Sequence, residues 1–246
     1  MTAYWISCYR EITLRQRVND AGRAVMLAYA KGSDLDHLAA FFGIERLVVT
    51  PADNLNAIPA VMESDDDLRK RVQLAPDSFS VAGPEGAYKS HAINADGQVL
   101  DAAVSSPTPG TVLVTVLSRV GNGLASDELV AKVALAVGAE DVRPLTDRVE
   151  VQSAEIVEYE VEARIFTFSG PDPAVVMVAA RDRLDAYIGD CHRIGREVAV
   201  SGLHAALHVE GVERVELVKP AGSVQTNDTQ APYCISITLT PGGSNA

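Results

Sequence analysis

A short stretch of the chain carries the residue types of a phosphate-binding loop. Ser80 to Ala92, "SVAGPEGAYKSHA", places two glycines, a lysine and a serine close together. A phosphate-binding loop needs glycine directly before its lysine, because the lysine must reach a phosphate held by the loop amides. Two residues separate Gly86 from Lys89. The stretch therefore predicts a loop-to-helix junction formed by Gly83, Pro84 and Gly86, with Pro84 at the first helical position.

Two histidines have the spacing of a pair of metal ligands. His204 and His208, in "HAALH", are four residues apart and are predicted to share one helix face. A zinc protease of this pattern needs glutamate directly after the first histidine and a third ligand. Ala205 stands at that position, and no neighbouring pattern completes the ligand set. We therefore expect no metal site, and a metal-dependent enzyme that uses this histidine pair is the alternative.

The cysteines do not indicate a disulfide framework or a nucleophile. Cys8, Cys191 and Cys234 are odd in number and far apart in sequence. His192 directly follows Cys191, and neighbouring side chains on a helix diverge, so the two do not form a nucleophile–base pair. The sequence contains no nucleophile elbow, dinucleotide-binding fingerprint or Cys-x-x-Cys motif. We expect no catalytic residue and no cofactor.

The composition indicates a protein whose partners are other proteins. The chain has 246 residues, 47% of them apolar, and a net charge of −12. This charge argues against a nucleic-acid partner, because phosphate binding relies on clustered Lys and Arg. No apolar run approaches the ~20 residues of a membrane span, and the N-terminus lacks the order of a signal peptide. We expect a soluble chain that is made and kept in the cytoplasm, with no membrane partner.

The first predicted helix carries a stripe of small and apolar residues. The helix is expected over Tyr9 to Ala30, and the stripe repeats at intervals of four and three residues, as in a heptad seam. Its members are Leu14, Val18, Ala21, Val25 and Ala28. We predict that this seam is a partner interface. The alternative is that the stripe packs on the chain's own core.

Capping residues predict the next two helices. Gly32 is expected to stop the first helix, and Ser33 to cap "DLDHLAAFF". Ser64 is expected to cap a helix that begins with three aspartates, and Pro76 to mark its end.

The remainder of the chain predicts two α/β units. A long alternating segment after residue 147 is expected to leave one sheet and enter another near Ser153 to Glu158. A weak internal repeat aligns His91 to Pro107 with His204 to Pro220. The predicted fold class is α+β, with a helical N-terminal region followed by two tandem small α/β sandwich domains. The predicted divisions are a helical region 1–43, a connector 44–80 with one short helix, and α/β domains 81–153 and 154–246.

Five stretches together resemble the baseplate protein J family of contractile-tailed phages. They occur in the family's order and extend from about Tyr9 to about Thr240, nearly the whole chain. The stretches are "YREITLRQRVNDAGRAVMLAYAKGSDLDHLAAFFGIERL", "ESDDDLRKRVQLAPDSFSVAGPEGAYKSHA", "DAAVSSPTPGTVLVTVLSR", "AEDVRPLTDRVEVQSAEIVEY" and "AALHVEGVERVEL". Family members usually carry a further segment before the residue equivalent to Tyr9, so the contacts of that segment are not assigned to this chain.

The resemblance implies a structural role without catalytic residues. Members form the wedges that ring the tail hub. The implied partners are other copies of the chain, two in each wedge, a second wedge protein, and the tail-hub and sheath-initiating baseplate proteins. The implied location is the baseplate of a virion tail or phage-like particle, after synthesis in the host cytoplasm. Two other interpretations stay open, namely the metal-dependent enzyme and a soluble adaptor from a degenerate prophage that no longer assembles.

Overall fold

A computed structural model describes residues 2–80, 84–139, 142–144, 146–170 and 172–244, with side chains described from residue 7 to residue 243 of these ranges. Seven helices and eight strands form within them. The helices are α1 (Thr2–Ala24), α2 (Gly32–Ala40), α3 (Asp65–Ser78), α4 (Glu85–Asn94), α5 (Asp127–Val137), α6 (Pro173–Cys191) and α7 (Val200–Leu207). The strands are β1 (Val48–Thr50), β2 (Val61–Met62), β3 (Val99–Thr108), β4 (Thr111–Ser118), β5 (Arg148–Ser153), β6 (Glu155–Thr167), β7 (Val212–Lys219) and β8 (Gln230–Ser244).

Two three-stranded mixed sheets follow the N-terminal helices. The first has the order β3-β4-β5, with β4 antiparallel to β3 and parallel to β5. The second has the order β7-β6-β8, with β6 antiparallel to β7 and parallel to β8. The chain passes from one sheet to the other at Ala154, between β5 and β6, which confirms the predicted change of sheet.

The weak sequence repeat corresponds to one structural unit. Its two copies cover the end of α4 with β3, and the end of α7 with β7. In both sheets this unit supplies a helix and the edge strand antiparallel to the central strand. The following strand differs, because β4 is the central strand of its sheet whereas β8 lies on the far edge of the other. The two units therefore share a strand arrangement and differ in chain order.

Each sheet has its own apolar core. Val114 and Val116 of β4 pack with Tyr88 of α4 and Val133 of α5 in the first unit. In the second unit, α6 and α7 pack on β6 through residues that include Leu184, Leu203 and Ile165. A small cluster of Leu117, Ala154 and Ala231 joins the two units. These observations confirm the predicted α+β class, in which helical and sheet layers bury separate cores.

The N-terminal helices have a third core, which crosses a predicted division. Leu35 of α2 packs with Leu68 and Val72 of α3, although α3 falls in the predicted connector. The division into 1–43, 44–80, 81–153 and 154–246 stays a prediction.

Several predicted helix boundaries were wrong. Ser33 does not cap α2; the helix begins at Gly32, whose N–H donates to Asp65 Oδ2 at 3.1 Å. The Asp65 carboxylate of α3 thus supplies the partner expected from Ser33. Ser64 caps α3 as predicted, with its Oγ accepting from Asp67 N at 3.2 Å. Pro76 lies inside α3 and does not end it.

The backbone of Gly97, just before β3, passes close to the backbone of Val48 in β1. A Cβ at Gly97 would lie 2.8 Å from the carbonyl carbon of Val48 and even closer to its oxygen. We expect Gly97→Ala to lower the free energy of unfolding by about 1–3 kcal/mol, because main-chain atoms must move to admit the methyl group. Gly222→Ala is the matched control, because a Cβ there would have no other heavy atom within 4 Å beyond its chain neighbours. Urea unfolding of both variants measures the difference, and equal losses would contradict it.

Candidate assembly interface

The first helix is exposed along the part for which side chains are described. None of the side chains between Ser7 and Ala24 is buried. Tyr9, Ile12, Leu14 and Val18 are among the exposed large apolar residues of the chain. An isolated helix is only marginally stable in water, and most helices in proteins are stabilised by packing. The helix α1 is therefore the strongest candidate for a surface that another chain covers.

The structure places three of the five predicted seam residues on this helix. Leu14, Val18 and Ala21 lie on α1 and are exposed. The predicted helical placement of the other two was wrong, because α1 ends at Ala24 and Val25 and Ala28 lie in the turn 25–29. The helical seam consequently comprises Leu14, Val18 and Ala21, and it does not extend to Ala28.

Tertiary contacts explain why the helix ends before the predicted residue. Arg69 of α3 donates from Nε to the Leu27 carbonyl oxygen and from Nη2 to the Ala30 carbonyl oxygen, each at 2.8 Å. Ala30 is fully buried in the core that α2 and α3 form. A continuous helix would carry Ala30 away from this core. The turn at 25–29 instead brings it in, and residues distant in sequence decide this outcome.

The predicted loop-to-helix junction is only partly described. Gly83 lies outside the described residues. Pro84 precedes the helix as its N-cap, with φ −64° and ψ 151°, so the prediction that it occupies the first helical position was wrong. Gly86 allows α4 to approach α3, since a Cβ there would collide with the Asp77 carboxylate.

The tyrosine and lysine of this stretch have separate roles. Tyr88 is buried in the first α/β core, and its hydroxyl donates to Asp147 Oδ2 at 2.9 Å. Burial, with that hydrogen bond, raises the pKa of Tyr88 to about 12. Lys89 points elsewhere and forms an ion pair with Asp101, with Nζ 3.4 Å from Oδ1. The lysine that suggested a phosphate site is therefore next to a carboxylate.

The candidate metal ligands do not form the predicted pair. His204 lies on α7, but His208 follows it as the C-cap with ψ 71°, so the two residues do not share a helix face. Among the described residues, no group of three or more His, Cys, Asp or Glu side chains could hold a metal ion. Cys191 is buried in the second core. His192 Nδ1 lies 2.7 Å from the Pro232 carbonyl oxygen, to which it donates.

We expect His204→Ala and His208→Ala to leave assembly and metal content unchanged. Each substitution changes a surface or partly exposed side chain, so stability should stay within about ±0.5 kcal/mol. Elemental analysis of the purified chain and a particle-assembly assay measure the two properties. A stoichiometric metal ion that both variants lose would support the enzyme alternative. Cys191→Ser makes a useful comparison, because burial of its hydroxyl should cost stability without abolishing assembly.

A buried ion pair joins Glu63, in the segment before α3, to Arg71 of α3. The sequence did not indicate this pair. Glu63 and Arg71 are both buried, and Arg71 Nη1 donates to Glu63 Oε1. Arg71 also donates to the Glu45 carbonyl oxygen at 3.1 Å and to Asn94 Oδ1 at 2.6 Å. Burial lowers the pKa of Arg71, and the charge of Glu63 partly offsets this effect. A buried charge is tolerated only when it is paired and hydrogen-bonded.

A second ion-pair group centres on Asp67 of α3. Arg119 Nη1 lies 2.8 Å from Asp67 Oδ2, and Arg193 Nη2 lies 3.9 Å from Oδ1. Arg119 follows β4 and Arg193 follows α6, so Asp67 links the N-terminal helices to both α/β units. Burial would raise the pKa of Asp67, but the charge and hydrogen bond of Arg119 outweigh it and hold that pKa below its usual range. The sequence indicated Asp67 only as a first-turn residue.

A second exposed apolar surface surrounds the β1–β2 pair. Its members are Val48, Leu55, Ile58, Val61 and Met62. The sequence showed this region only as a connector without clear periodicity.

In the part of the chain that the structure describes, no helix is both long enough and apolar enough to span a membrane.

Comparison with known proteins places the chain in one family. The Baseplate J-like N-terminal domain matches residues 3–53, the Baseplate J-like central domain residues 80–153, and the Baseplate J-like protein C-terminal domain residues 159–240. The three matches lie in order and cover most of the sequence. The chain therefore belongs to the baseplate J-like family.

A curated relative and a solved structure are similar to the chain. Baseplate protein J of Escherichia phage P2 is 50% identical over 241 residues, which are 97% of this chain and 80% of that protein. A chain in the cryo-EM structure of the anti-feeding prophage baseplate has 17% identity and a TM-score of 0.48. That similarity covers 72% of this chain and 44% of the other. The family matches and the phage P2 relative confirm the prediction that the chain is a structural subunit of a baseplate.

Proposed function

We propose that the protein is a wedge subunit of the baseplate of a contractile phage tail or phage-like particle, and that it acts in assembly around the tail hub. The observation that carries this proposal is α1, a 23-residue helix with no buried side chain among those described. A helix whose described side chains, from residue 7 to residue 24, stay out of the chain's own core is best explained by packing on a neighbouring subunit. Membership of a baseplate family favours a structural role over an enzymatic one.

We infer that one neighbour of α1 is a second copy of the chain, with two copies in each wedge. The helix carries four arginines and two acidic residues, so its net charge is +2, whereas the whole chain carries −12. Opposite potentials favour association between this helix and the acidic remainder of another copy. The alanine in the seam of Leu14, Val18 and Ala21 allows a partner helix to approach closely. The other proposed partners are a second wedge protein and the tail-hub and sheath-initiating baseplate proteins.

The experiment that tests this function is a cryo-EM map of assembled tails that contain the chain. We expect the chain in the baseplate, with the seam of α1 against another helix. A map in which the chain is absent from the tail would contradict the proposed function. A map in which the chain is present but α1 remains exposed would contradict only the proposed interface.

A further inference from the structure

A positively charged cleft lies where the N-terminal helices meet both α/β units. Its volume is about 280 Å³. Its walls come from α3, α4, β3 and the segments that follow β4 and α6. Five cationic side chains face it, namely Lys70, Arg71, Lys89, Arg119 and Arg193, together with the carboxylates of Asp67 and Asp101. The cleft is therefore a local excess of positive charge on a chain whose net charge is −12.

The two carboxylates do not neutralise the cleft. Arg71 has its own buried partner, Glu63, which leaves four cations beside two acids. Asp67 Oδ2 contacts Arg119 and also accepts from Ser64 Oγ at 3.0 Å. Its distances to Lys70 Nζ and Arg193 Nη2 are 3.9 Å, which is too long for a hydrogen bond.

Asp101 is also occupied by other contacts. Its Oδ2 accepts from the Ile194 N–H at 3.2 Å and its Oδ1 from the Ala102 N–H at 2.9 Å. Lys89 Nζ lies 3.4 Å from Oδ1. The ammonium groups of Lys70 and Lys89 consequently keep donors available for a further anion, because each carries three.

The remaining wall of the cleft is apolar. Leu74, Ile93 and Leu100 line it beside the cationic groups. Moving methylene groups from water to such a surface lowers the free energy. A phosphate ion has no methylene groups and cannot use this part of the wall. A glutamate side chain, with two methylenes and a terminal carboxylate, matches both parts of the wall.

We propose that this cleft binds glutamate side chains of an acidic segment from another baseplate chain. The source of the segment rests on the proposed function, but the recognition chemistry does not. Charge complementarity supports this occupant, because a second copy of the chain is itself strongly acidic. Lys70 and Lys89 bind the carboxylates, and the leucine and isoleucine side chains contact the methylene groups.

The test uses the full chain and a short fluorescein-labelled peptide of alternating glutamate and alanine. We expect fluorescence anisotropy to show binding, and the same peptide with glutamine in place of glutamate to bind at least about tenfold more weakly. The variant Lys70→Gln/Lys89→Gln should weaken binding of the glutamate peptide by a similar factor. Lys132→Gln/Lys219→Gln is the matched control, because it removes two half-exposed lysines outside the cleft; it should change binding less than about twofold.

A second measurement needs no variant. Modification of the wild-type chain by an amine-reactive reagent, read by mass spectrometry, should be slowed by the glutamate peptide at Lys70 and Lys89 but not at Lys132. The proposal is overturned if the glutamate peptide does not bind, if the two double variants lose binding equally, or if the peptide protects all three lysines alike. It is also overturned if inorganic phosphate displaces the peptide at concentrations below the peptide's own dissociation constant, because the ligand would then be a free oxyanion. None of these outcomes depends on tail assembly, so a failure here is distinguishable from failure of the proposed function.

Discussion

The double variant Leu14→Asp/Val18→Asp should lose association with neighbouring subunits by about a hundredfold or more. Both side chains lie on the seam of α1, and an unpaired carboxylate buried in a helix–helix contact is costly. Stability of the isolated chain should change little, because the side chains are 63% and 70% exposed. Incorporation of the variant into purified particles, measured by quantitative mass spectrometry, and thermal unfolding of the free chain report the two effects separately.

Ile12→Asp is the matched control for this variant. Ile12 is 66% exposed, similar to the seam residues. At about 100° per residue it lies on the opposite face of α1 from Leu14 and Val18. We expect this control to assemble almost normally. Equal defects in both variants would show that charge on any face of α1 is harmful, and unfolding of the double variant would show that the seam packs within the chain.

Glu63→Gln should lower the free energy of unfolding by about 3 kcal/mol. The substitution keeps the shape and the acceptor for the Leu47 N–H, which lies 3.0 Å from Oε1, but it removes the charge that faces Arg71. A buried cation without its partner typically costs about 3–5 kcal/mol, and the retained hydrogen bond places this variant at the lower limit. Urea unfolding of the full chain, with fluorescence and circular dichroism as independent probes, measures the loss.

Two further variants isolate the electrostatic cause of that loss. Glu11→Gln removes the same charge from the exposed surface of α1 and should change stability by less than about 0.5 kcal/mol. Replacement of both buried partners by methionine should recover much of the stability lost in Glu63→Gln, because no charge then stays buried without a partner. A loss in Glu63→Gln as small as that in Glu11→Gln would contradict the assigned role of the ion pair.

Local signals in the sequence predicted much of the secondary structure correctly. Ser64 caps α3, whose first turn is acidic, as predicted. This motif works because the capping side chain and the backbone that it satisfies are only two or three residues apart. The change of sheet at Ala154 was also predictable, because a long alternating segment exceeds the length of one strand.

Helix ends that depend on distant partners were not predictable in the same way. The periodic pattern of the first helix continues to Ala28, yet α1 ends at Ala24. No local pattern in residues 25–30 indicates a contact with Arg69, yet the Arg69 guanidinium donates hydrogen bonds to the carbonyl oxygens of Leu27 and Ala30. Long-range hydrogen bonds and burial outweigh a weak local preference, since intrinsic helix propensities differ by less than about 1 kcal/mol for ordinary residues.

By itself, the sequence determined the α+β class and the family. Local patterns suffice for these because periodicity and capping act over a few residues, and family motifs are contiguous in the chain. Only the tertiary structure decided where α1 ends, that Glu63 and Arg71 form a buried pair, and that Lys89 joins Arg119 and Arg193 in one cleft. Lys89, Arg119 and Arg193 lie far apart in sequence, so only the folded chain brings them together. Glu63 and Arg71 are eight residues apart, but their interaction depends on burial, which strengthens the attraction between charges.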